Sequence, residues 1–164
     1  MILMLIIRFS ISNENALNWT AVIHNKEEWN TLPPFVNELI FVDNCCNELS
    51  FIKLDFSSFS NLKKIEVGSN SLNHVNRLTM SGLNKLTELS IGEGSLSNTR
   101  ELIIGSNSLN HVDLQSIDLK PFANLRTLSI GSNSLQSTKH ILTSTMNDLQ
   151  SFSVGSSSMI NLIK

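Results

Sequence analysis

The sequence predicts a repeat solenoid built on a parallel β-sheet, and two recurring patterns predict it. An eleven-residue motif recurs six times along the 164 residues, and the segments between its copies carry a second apolar pattern. Positions four to six of the motif alternate apolar, polar and apolar side chains, as in Ile65, Glu66 and Val67. This alternation is typical of a short strand with one buried face. A single strand buries little, so we expect the copies to stack and to share one core.

The motif is clearest at residues 62–72, where it reads LKKIEVGSNSL. The other copies span residues 36–46, 86–96, 99–109, 125–135 and 149–159. All six follow the frame L-x-x-L-x-L-x-x-N-x-L, and on these positions the chain resembles the leucine-rich-repeat family. The resemblance implies a curved superhelix with the parallel sheet on its concave face and mostly irregular or extended segments on its convex face. It also implies that partners bind the concave face.

Position nine of the motif lies where the chain leaves the strand. It is occupied by Asn44, Asn70, Asn107 and Asn133. Because an amide both donates and accepts hydrogen bonds, stacked asparagines are expected to satisfy backbone groups at this corner. Gly94 and Ser157 replace asparagine in two copies, where the ladder is expected to be weaker. The glycine at position seven indicates a backbone requirement of the turn rather than a phosphate-binding loop.

The segments between the copies are predicted to close the core from the convex side. Their apolar residues recur with one spacing: Leu54, Phe56 and Phe59; Leu78, Met80 and Leu83; Ile117, Leu119 and Phe122. None has the ten or more periodic residues that indicate a helix, so extended or single-turn structure is expected. The last segment fits less well, with Ile141, Thr143 and Met146 at the matching positions.

One spacing between copies is anomalous. The copies begin at residues 36, 62, 86, 99, 125 and 149, so the spacings run 26, 24, 13, 26 and 24. A full coil follows a path of roughly 45 Å, which 13 residues reach only when fully extended. We therefore expect the stack to be distorted or broken between Leu96 and Thr99. Residues 68–75 reappear unchanged as residues 105–112, which indicates a duplicated block that has lost one intervening segment.

The chain is predicted to divide into a flanking segment, residues 1–35, and a solenoid of six motif copies, residues 36–164. The first segment lies outside the repeat frame and contains Trp19 and Trp29, which favours a cap over the end of the core. The apolar run from Met1 to Ile7 is too short for a membrane span and is interpreted as an N-terminal strand rather than a signal peptide. The C-terminal end is predicted to be bare, which allows end-to-end self-association.

Composition argues against some partners and bears weakly on the compartment. A net charge of −2, a pI near 6.1 and scattered lysines and arginines argue against a nucleic-acid partner. Cys45 and Cys46 are interpreted as a small buried apolar residue beside an exposed thiol. No disulfide framework is present, which slightly favours the cytoplasm over secretion or the cell surface. The glycosylation tripeptide at Asn18 keeps the exported alternative open.

The sequence predicts no enzyme activity, no cofactor and no metal site. It contains no G-x-S-x-G, GxxxxGK[ST] or H-E-x-x-H pattern. His74 and His111 occupy equivalent places in two copies of the motif, and duplication explains both. A hydrolase that uses either histidine as a base is the remaining enzymatic alternative.

The predicted function is a non-catalytic module that binds a protein or peptide on the concave face. The resemblance implies that positions two, three, five, seven and eight face this surface, where charges of both signs occur. The candidate contacts are Lys63, Lys64, Glu66, Glu88, Arg100, Glu101 and Arg126. The lack of Trp and Phe on this face favours weak binding. The alternative is a structural or adhesive cell-surface protein, or a fragment of a larger one.

Overall fold

The motif copies form strands, as their alternating pattern predicts. The computed structural model describes residues 7–11, 17–143 and 146–161, and these residues form a parallel β-solenoid of about five turns with almost no helix. In chain order the elements are β1 (Ile7–Ile11), β2 (Leu17–Ile23), α1 (Lys26–Asn30), β3 (Glu38–Phe41), β4 (Lys53–Asp55), β5 (Lys64–Val67), β6 (Arg77–Met80), β7 (Glu88–Ile91), β8 (Glu101–Ile104), β9 (Ser116–Asp118), β10 (Thr127–Ile130), β11 (His140–Leu142) and β12 (Ser151–Val154).

The strands form sheets on two sides of one core. Sheet A contains β2, β3, β5 and β7 in parallel, with β1 antiparallel beside β2. Sheet B contains β4, β6, β8, β10 and β12, all parallel, and sheet C contains the parallel strands β9 and β11 on the side opposite sheet B. Each turn therefore has two strands. Turns 1 to 5 consist of β3 and β4, β5 and β6, β7 and β8, β9 and β10, and β11 and β12.

Alternate residues of each strand point into the core. In sheet B, Leu54, Leu78, Leu102 and Leu128 lie side by side on successive turns, and all four are buried. Full burial of such a side chain stabilises the fold by roughly 1.5–3 kcal/mol. The row of leucines therefore favours the register that keeps every strand in step with its neighbours.

The segments between the motif copies also contribute strands. The prediction that they are extended is confirmed, since β4, β6, β9 and β11 lie within them. Their apolar residues, among them Phe56, Met80 and Phe122, are buried as predicted. The second side of each turn is therefore itself part of a sheet.

The sequence predicted a stack that is distorted or broken between Leu96 and Thr99, and the chain is unbroken there; the distortion lies elsewhere in the stack. Thr99 is buried, and its N–H donates to the Leu96 carbonyl at 3.0 Å. Leu96 in turn donates to the carbonyl of Ser71 on the previous turn at 3.0 Å. The short segment makes a half-turn, which moves the motif from sheet A in its first three copies to sheet B in its last three. The path length of a full coil did not apply to it.

The irregularity lies on the other side of the solenoid, between β7 and β9. β7 pairs with β5 and β9 pairs with β11, but β7 and β9 do not pair with each other. More chain separates Glu88 from Ser116 than separates the paired strands of neighbouring turns elsewhere. Leu89 and Ile91 are consequently only half-buried. A cavity of about 450 Å³ lies beside Ile91.

A ladder forms at the motif corner, but serine at position ten forms it and not asparagine at position nine. Ser71 Oγ accepts the N–H of Cys45 at 3.2 Å and donates to the Val42 carbonyl at 2.7 Å. Ser134 repeats this arrangement with Ser108 and Gly105, at the same two distances. Both serines are fully buried. A hydroxyl suits this place because one small, fully buried group both donates and accepts.

The asparagines at position nine have a backbone role. Asn44, Asn70, Asn107 and Asn133 have φ between 54° and 58°, a left-handed conformation that asparagine tolerates better than most residues. Their side chains are exposed and make no hydrogen bond within the described part of the chain. The predicted amide ladder at position nine is therefore wrong.

The glycines at position seven are required by the close approach of successive turns. A Cβ on Gly131 would lie 2.4 Å from Ser106 N, and one on Gly92 would lie 2.6 Å from Ser69 N. Any larger residue would push the turns apart at this corner. The prediction of a backbone requirement is therefore confirmed, and its cause is space between turns.

The N-terminal end of the core is covered by α1. Its N-cap is Asn25, whose side chain accepts the N–H of Glu28. Trp29 places its ring 5.3 to 5.7 Å from those of Phe41, Phe56 and Phe59. Sheet A continues from β3 into β2, across the predicted boundary at residue 35. Residues 1–6 of the apolar run lie outside the described residues, and Ile7 begins β1.

The serine ladder predicts a large effect for a small substitution. Ser71→Ala leaves the buried N–H of Cys45 and the Val42 carbonyl without this partner, so the free energy of unfolding should fall by about 1–3 kcal/mol. Urea denaturation followed by circular dichroism measures the change.

Ser69→Ala is the matched control, because Ser69 lies in the same corner and only its backbone takes part in the hydrogen bonds of the described residues. It should change stability by no more than about 0.5 kcal/mol. Equal losses for the two variants would show that the serine at position ten has no special role.

Candidate functional site

The seven candidate contacts divide between two sheets. Lys63, Lys64, Glu66 and Glu88 lie on or next to β5 and β7 in sheet A. Arg100, Glu101 and Arg126 lie on or next to β8 and β10 in sheet B. The half-turn after Leu96 separates the two groups, so they do not share one face. Each sheet is therefore considered as a surface of its own.

Lys64 is the centre of the charges on sheet A. Its Nζ lies 3.0 Å from Glu66 Oε2 and 3.1 Å from Glu88 Oε1. Hydrogen bonds to Glu66 and then to Glu88 raise the pKa of Lys64 above its ordinary value. The three side chains satisfy one another, and their exposure keeps the gain in stability small.

Glu38 extends this charged row toward the N-terminus. Its Oε2 accepts a hydrogen bond from Thr20 Oγ1 at 2.7 Å, and its Oε1 accepts one from Asn18 Nδ2. Strand pairing aligns Thr20, Glu38, Lys64 and Glu88 on neighbouring strands. A glycan on Asn18 would have to displace the contact with Glu38. This contact therefore weakens the glycosylation signal on which the exported alternative depends.

Sheet B carries positive charge that is less neutralised. Arg77 Nη1 lies 3.5 Å from Glu101 Oε2, whereas Lys53, Arg100 and Arg126 form no ion pair with any described residue. The N–H of Arg126 donates to the Arg100 carbonyl at 2.8 Å, so these exposed arginines stand one strand spacing apart, about 4.8 Å. On and next to the sheet B strands β4, β6, β8 and β10 there are four basic side chains and only two acidic ones, Asp55 and Glu101.

A depression of about 390 Å³ lies within this charged region. Its lining residues are Lys53, Leu54, Asp55, Arg77, Thr79 and Ile103. Ile103 points outward beside Thr79 and Ser129 on the neighbouring strands. The surface therefore combines basic side chains with one half-buried apolar side chain. We call Lys53, Arg77, Arg100, Ile103 and Arg126 the basic face.

Sequence reasoning missed Lys53, Arg77 and Ile103. Lys53 and Arg77 lie in the segments between motif copies, which were assigned to the opposite side from the motif. A signal was present, because each precedes the leucine that begins the segment's apolar pattern, Leu54 and Leu78. Only the half-turn brings them into one sheet with Arg100 and Arg126.

Both cysteines are buried, so the prediction of an exposed thiol beside a buried one is wrong. Both are free thiols, at 5% and 3% exposure for Cys45 and Cys46. Hydrogen bonding to Cys45 and burial raise the pKa of the Cys46 thiol. Cys46 therefore stays protonated and unreactive at neutral pH.

The histidines are dispersed. His111 Nδ1 lies 3.5 Å from Asp113 Oδ2 at an exposed site, and His24 Nδ1 lies 3.1 Å from Glu28 Oε2. Among the residues that the structure describes, no group of three His, Cys, Asp or Glu side chains could hold a metal ion. The same residues include no helix that is long and apolar enough to span a membrane.

Comparisons with protein-family models, curated proteins and solved structures found no match. The resemblance to leucine-rich repeats therefore depends on the motif itself.

The Lys64 cluster predicts a measurable change in titration. Glu66→Gln should lower the pKa of Lys64 toward its ordinary value, because it removes the partner that contributes most to the shift. Nuclear magnetic resonance of the lysine ε-carbon measures this pKa. Glu101→Gln, on the opposite sheet, is the control and should leave it unchanged.

The ion pair between Lys64 and Glu66 also predicts how stability changes with pH. A raised pKa in the folded state stabilises the fold fully below the unfolded value of about 10.4 and loses this contribution as the pH rises through the folded value. The free energy of unfolding of the wild type should therefore exceed that of Glu66→Gln by less than about 1 kcal/mol at pH 7. The difference should shrink toward zero at high alkaline pH. A difference that grew with pH would contradict this assignment.

Proposed function

We propose that the protein is a non-catalytic interaction module of the leucine-rich-repeat type that binds an acidic segment of a partner protein on its basic face. The observation that carries the proposal is the set of under-neutralised cations on and next to the strands of sheet B, of which Lys53 and Arg77 line the depression with Ile103. Arg100 and Arg126 stand on neighbouring turns without an acidic partner among the described residues. Their mutual repulsion is relieved when a carboxylate lies between them.

Arginine is suited to this role. A guanidinium presents a planar fork of donors that matches the two oxygens of a carboxylate. Arg77, Arg100 and Arg126 are three of the four cations on the face. An apolar side chain of the partner would fill the depression beside Ile103, while its acidic residues would reach the arginines.

Sheet A is the weaker candidate for the binding face. Lys64 already holds two carboxylates at 3.0 and 3.1 Å. A partner would have to replace contacts that the protein makes within itself, so the exchange gains little. Lys63 is exposed but stands alone beside this cluster.

The expected affinity is modest. The basic face has no Trp, and the whole chain has no Tyr, although these residues anchor most tight interfaces. We expect a dissociation constant in the micromolar range, on the order of 1–100 μM. Binding should weaken as salt screens the exposed charges.

The assignment to the leucine-rich-repeat type is supported by the L-x-x-L-x-L strand pattern and by the stacked turns. The extended second side of each turn pairs into sheets, which is compatible with the resemblance. The exposed asparagine at position nine departs from the expected ladder. The basic face is thus a sheet surface, but not one made from motif strands alone.

Affinity capture from the native cell extract tests the proposal with two matched triple variants. The first is Arg77→Ser, Arg100→Ser, Arg126→Ser on the basic face. The second is Lys63→Ser, Lys64→Ser, Lys85→Ser around sheet A. Each removes three positive charges, so the two have the same net charge.

The wild type and the sheet A variant should retain one acidic partner that the basic-face variant loses by at least about tenfold, provided that all three give the same circular dichroism spectrum. The purified partner should then bind more weakly as salt is raised. Equal capture by the basic-face variant would exclude this face. Failure of all three to retain any specific partner would favour the structural or adhesive alternative.

A further inference from the structure

Turn 5 presents core side chains on its outer end. Phe152 and Val154 in β12 lie in register with Leu128 and Ile130 in β10. The β10 residues are buried, whereas Phe152 is 56% exposed and Val154 is 40% exposed. Both side chains therefore occupy core positions, and none of the residues that the structure describes forms a turn packed over them. A further apolar residue, Ile160, is 63% exposed nearby.

An apolar cavity opens next to these side chains. Its volume is about 160 Å³. Its lining includes Leu128, Ile141, Met146, Phe152 and Met159. Water in such a cavity finds few hydrogen-bonding partners, so the end of the core favours an apolar surface against it.

The free edge of β12 has a defined hydrogen-bonding pattern. The N–H groups of Ser151 and Gly155 donate to the carbonyls of Arg126 and Ile130 in the previous turn. Because consecutive residues in a strand point their backbone groups to opposite edges, those of Phe152 and Val154 point away from β10. Within the described residues β12 pairs with β10 alone. Two donors and two acceptors are thus available in a row.

The charge of this end favours an identical surface as its partner. Residues 149–161, which include β12, contain no charged side chain, and the other half of turn 5 has one charge of each sign, at Lys139 and Asp148. The same end of a second molecule can approach this surface without like-charge repulsion. A charged partner, in contrast, gains no ion pair there. The opposite end of the solenoid is covered by α1 and Trp29, so a head-to-tail contact between molecules is disfavoured.

We propose that two molecules of this chain associate end to end through turn 5, with their β12 strands paired antiparallel about a two-fold axis. Only a register that sets inward residues opposite inward residues keeps both cores on one side of the joined sheet. The register with Ser153 opposite its own counterpart satisfies this condition. It also places Phe152 opposite Val154 twice, which uses all four free backbone groups of each strand.

The size of the contact is adequate for specific association. With strands about 13 Å long, a corner of about 6 Å at each end, two sheets about 10 Å apart and outward side chains that add about 5 Å on each side, the end face measures roughly 25 Å by 20 Å, or about 500 Å². A two-fold contact buries about 1,000 Å² in total, which is near the lower bound for a specific interface. The dimer joins sheet B of both molecules into one sheet of ten strands. This association does not depend on the proposed function of the basic face.

The first test is the mass of the intact chain in solution over a range of concentrations. Light scattering after size exclusion should show a species at twice 18.2 kDa. Phe152→Glu should raise the dissociation constant of the dimer by about a hundredfold or more, because a two-fold axis buries the introduced carboxylate twice. Phe152 is half exposed in the single molecule, so the variant should keep its circular dichroism spectrum.

The matched control is Leu49→Glu, which introduces the same charge at a side chain that is 80% exposed and distant from turn 5. It should dimerise like the wild type. A wild type that keeps the mass of a single chain at every concentration, or equal weakening by both variants, would overturn the proposal.

A cysteine pair tests the register directly. Under mild oxidation, Ser153→Cys should give a covalent dimer, because opposite residues in a non-hydrogen-bonded antiparallel pair have Cα atoms about 4.5 Å apart, within disulfide range. Ser129→Cys is the control, since Ser129 occupies the same outward position one strand away. Its counterpart in the dimer is about 14 Å distant, three strand spacings, which is too far for a disulfide.

The native cysteines do not interfere, because both are buried. A covalent dimer from Ser153→Cys alone supports the two-fold pairing. Equal cross-linking of the two variants, or none from Ser153→Cys in a protein that dimerises, would show that the register is wrong and would overturn it.

Discussion

Every surface of this solenoid depends on the backbone hydrogen bonds that hold each turn in register with the previous one. Because the register is constant along most of the stack, residues at equivalent positions become neighbours about 4.8 Å apart. The residue at each position must therefore pack against the equivalent residue of the next turn. Leucine meets this demand in the core, and a buried serine meets it at the corner, where its hydroxyl accepts an N–H of the previous turn and donates to a carbonyl of that same turn. Glycine meets it where the turns approach most closely.

The same constraint explains the charges. On sheet A the signs alternate from Glu38 to Lys64 to Glu88, so neighbours attract one another. On sheet B, Arg100 and Arg126 are direct neighbours of like charge, an arrangement that destabilises the isolated molecule. An external acidic partner stabilises a surface most where like charges are neighbours and repel each other. The basic face is therefore the better candidate for function.

The half-turn after Leu96 has two consequences. It leaves β7 and β9 unpaired with each other and creates the cavity beside Ile91. It also combines residues of different origin in sheet B, where Lys53 and Arg77 come from intervening segments while Arg100 and Arg126 come from motif copies. A duplicated block that had kept its missing segment would place these arginines with the other motif copies in sheet A. The short spacing between the third and fourth motif copies thus accounts for the composition of the basic face.

The sequence by itself determined the strands, the residues that point inward and the extended form of the intervening segments. These features follow from alternation within a few residues and from a repeat period, both of which are local. Only the tertiary structure decided that Ser71 rather than Asn70 bridges the turns, that Cys45 and Cys46 are both buried, and that Arg77 lies near Arg100. Each of these depends on which turn packs against which, and backbone pairing between residues one full turn apart along the chain decides that. The pattern within one motif copy carries no information about which side of the solenoid the copy occupies.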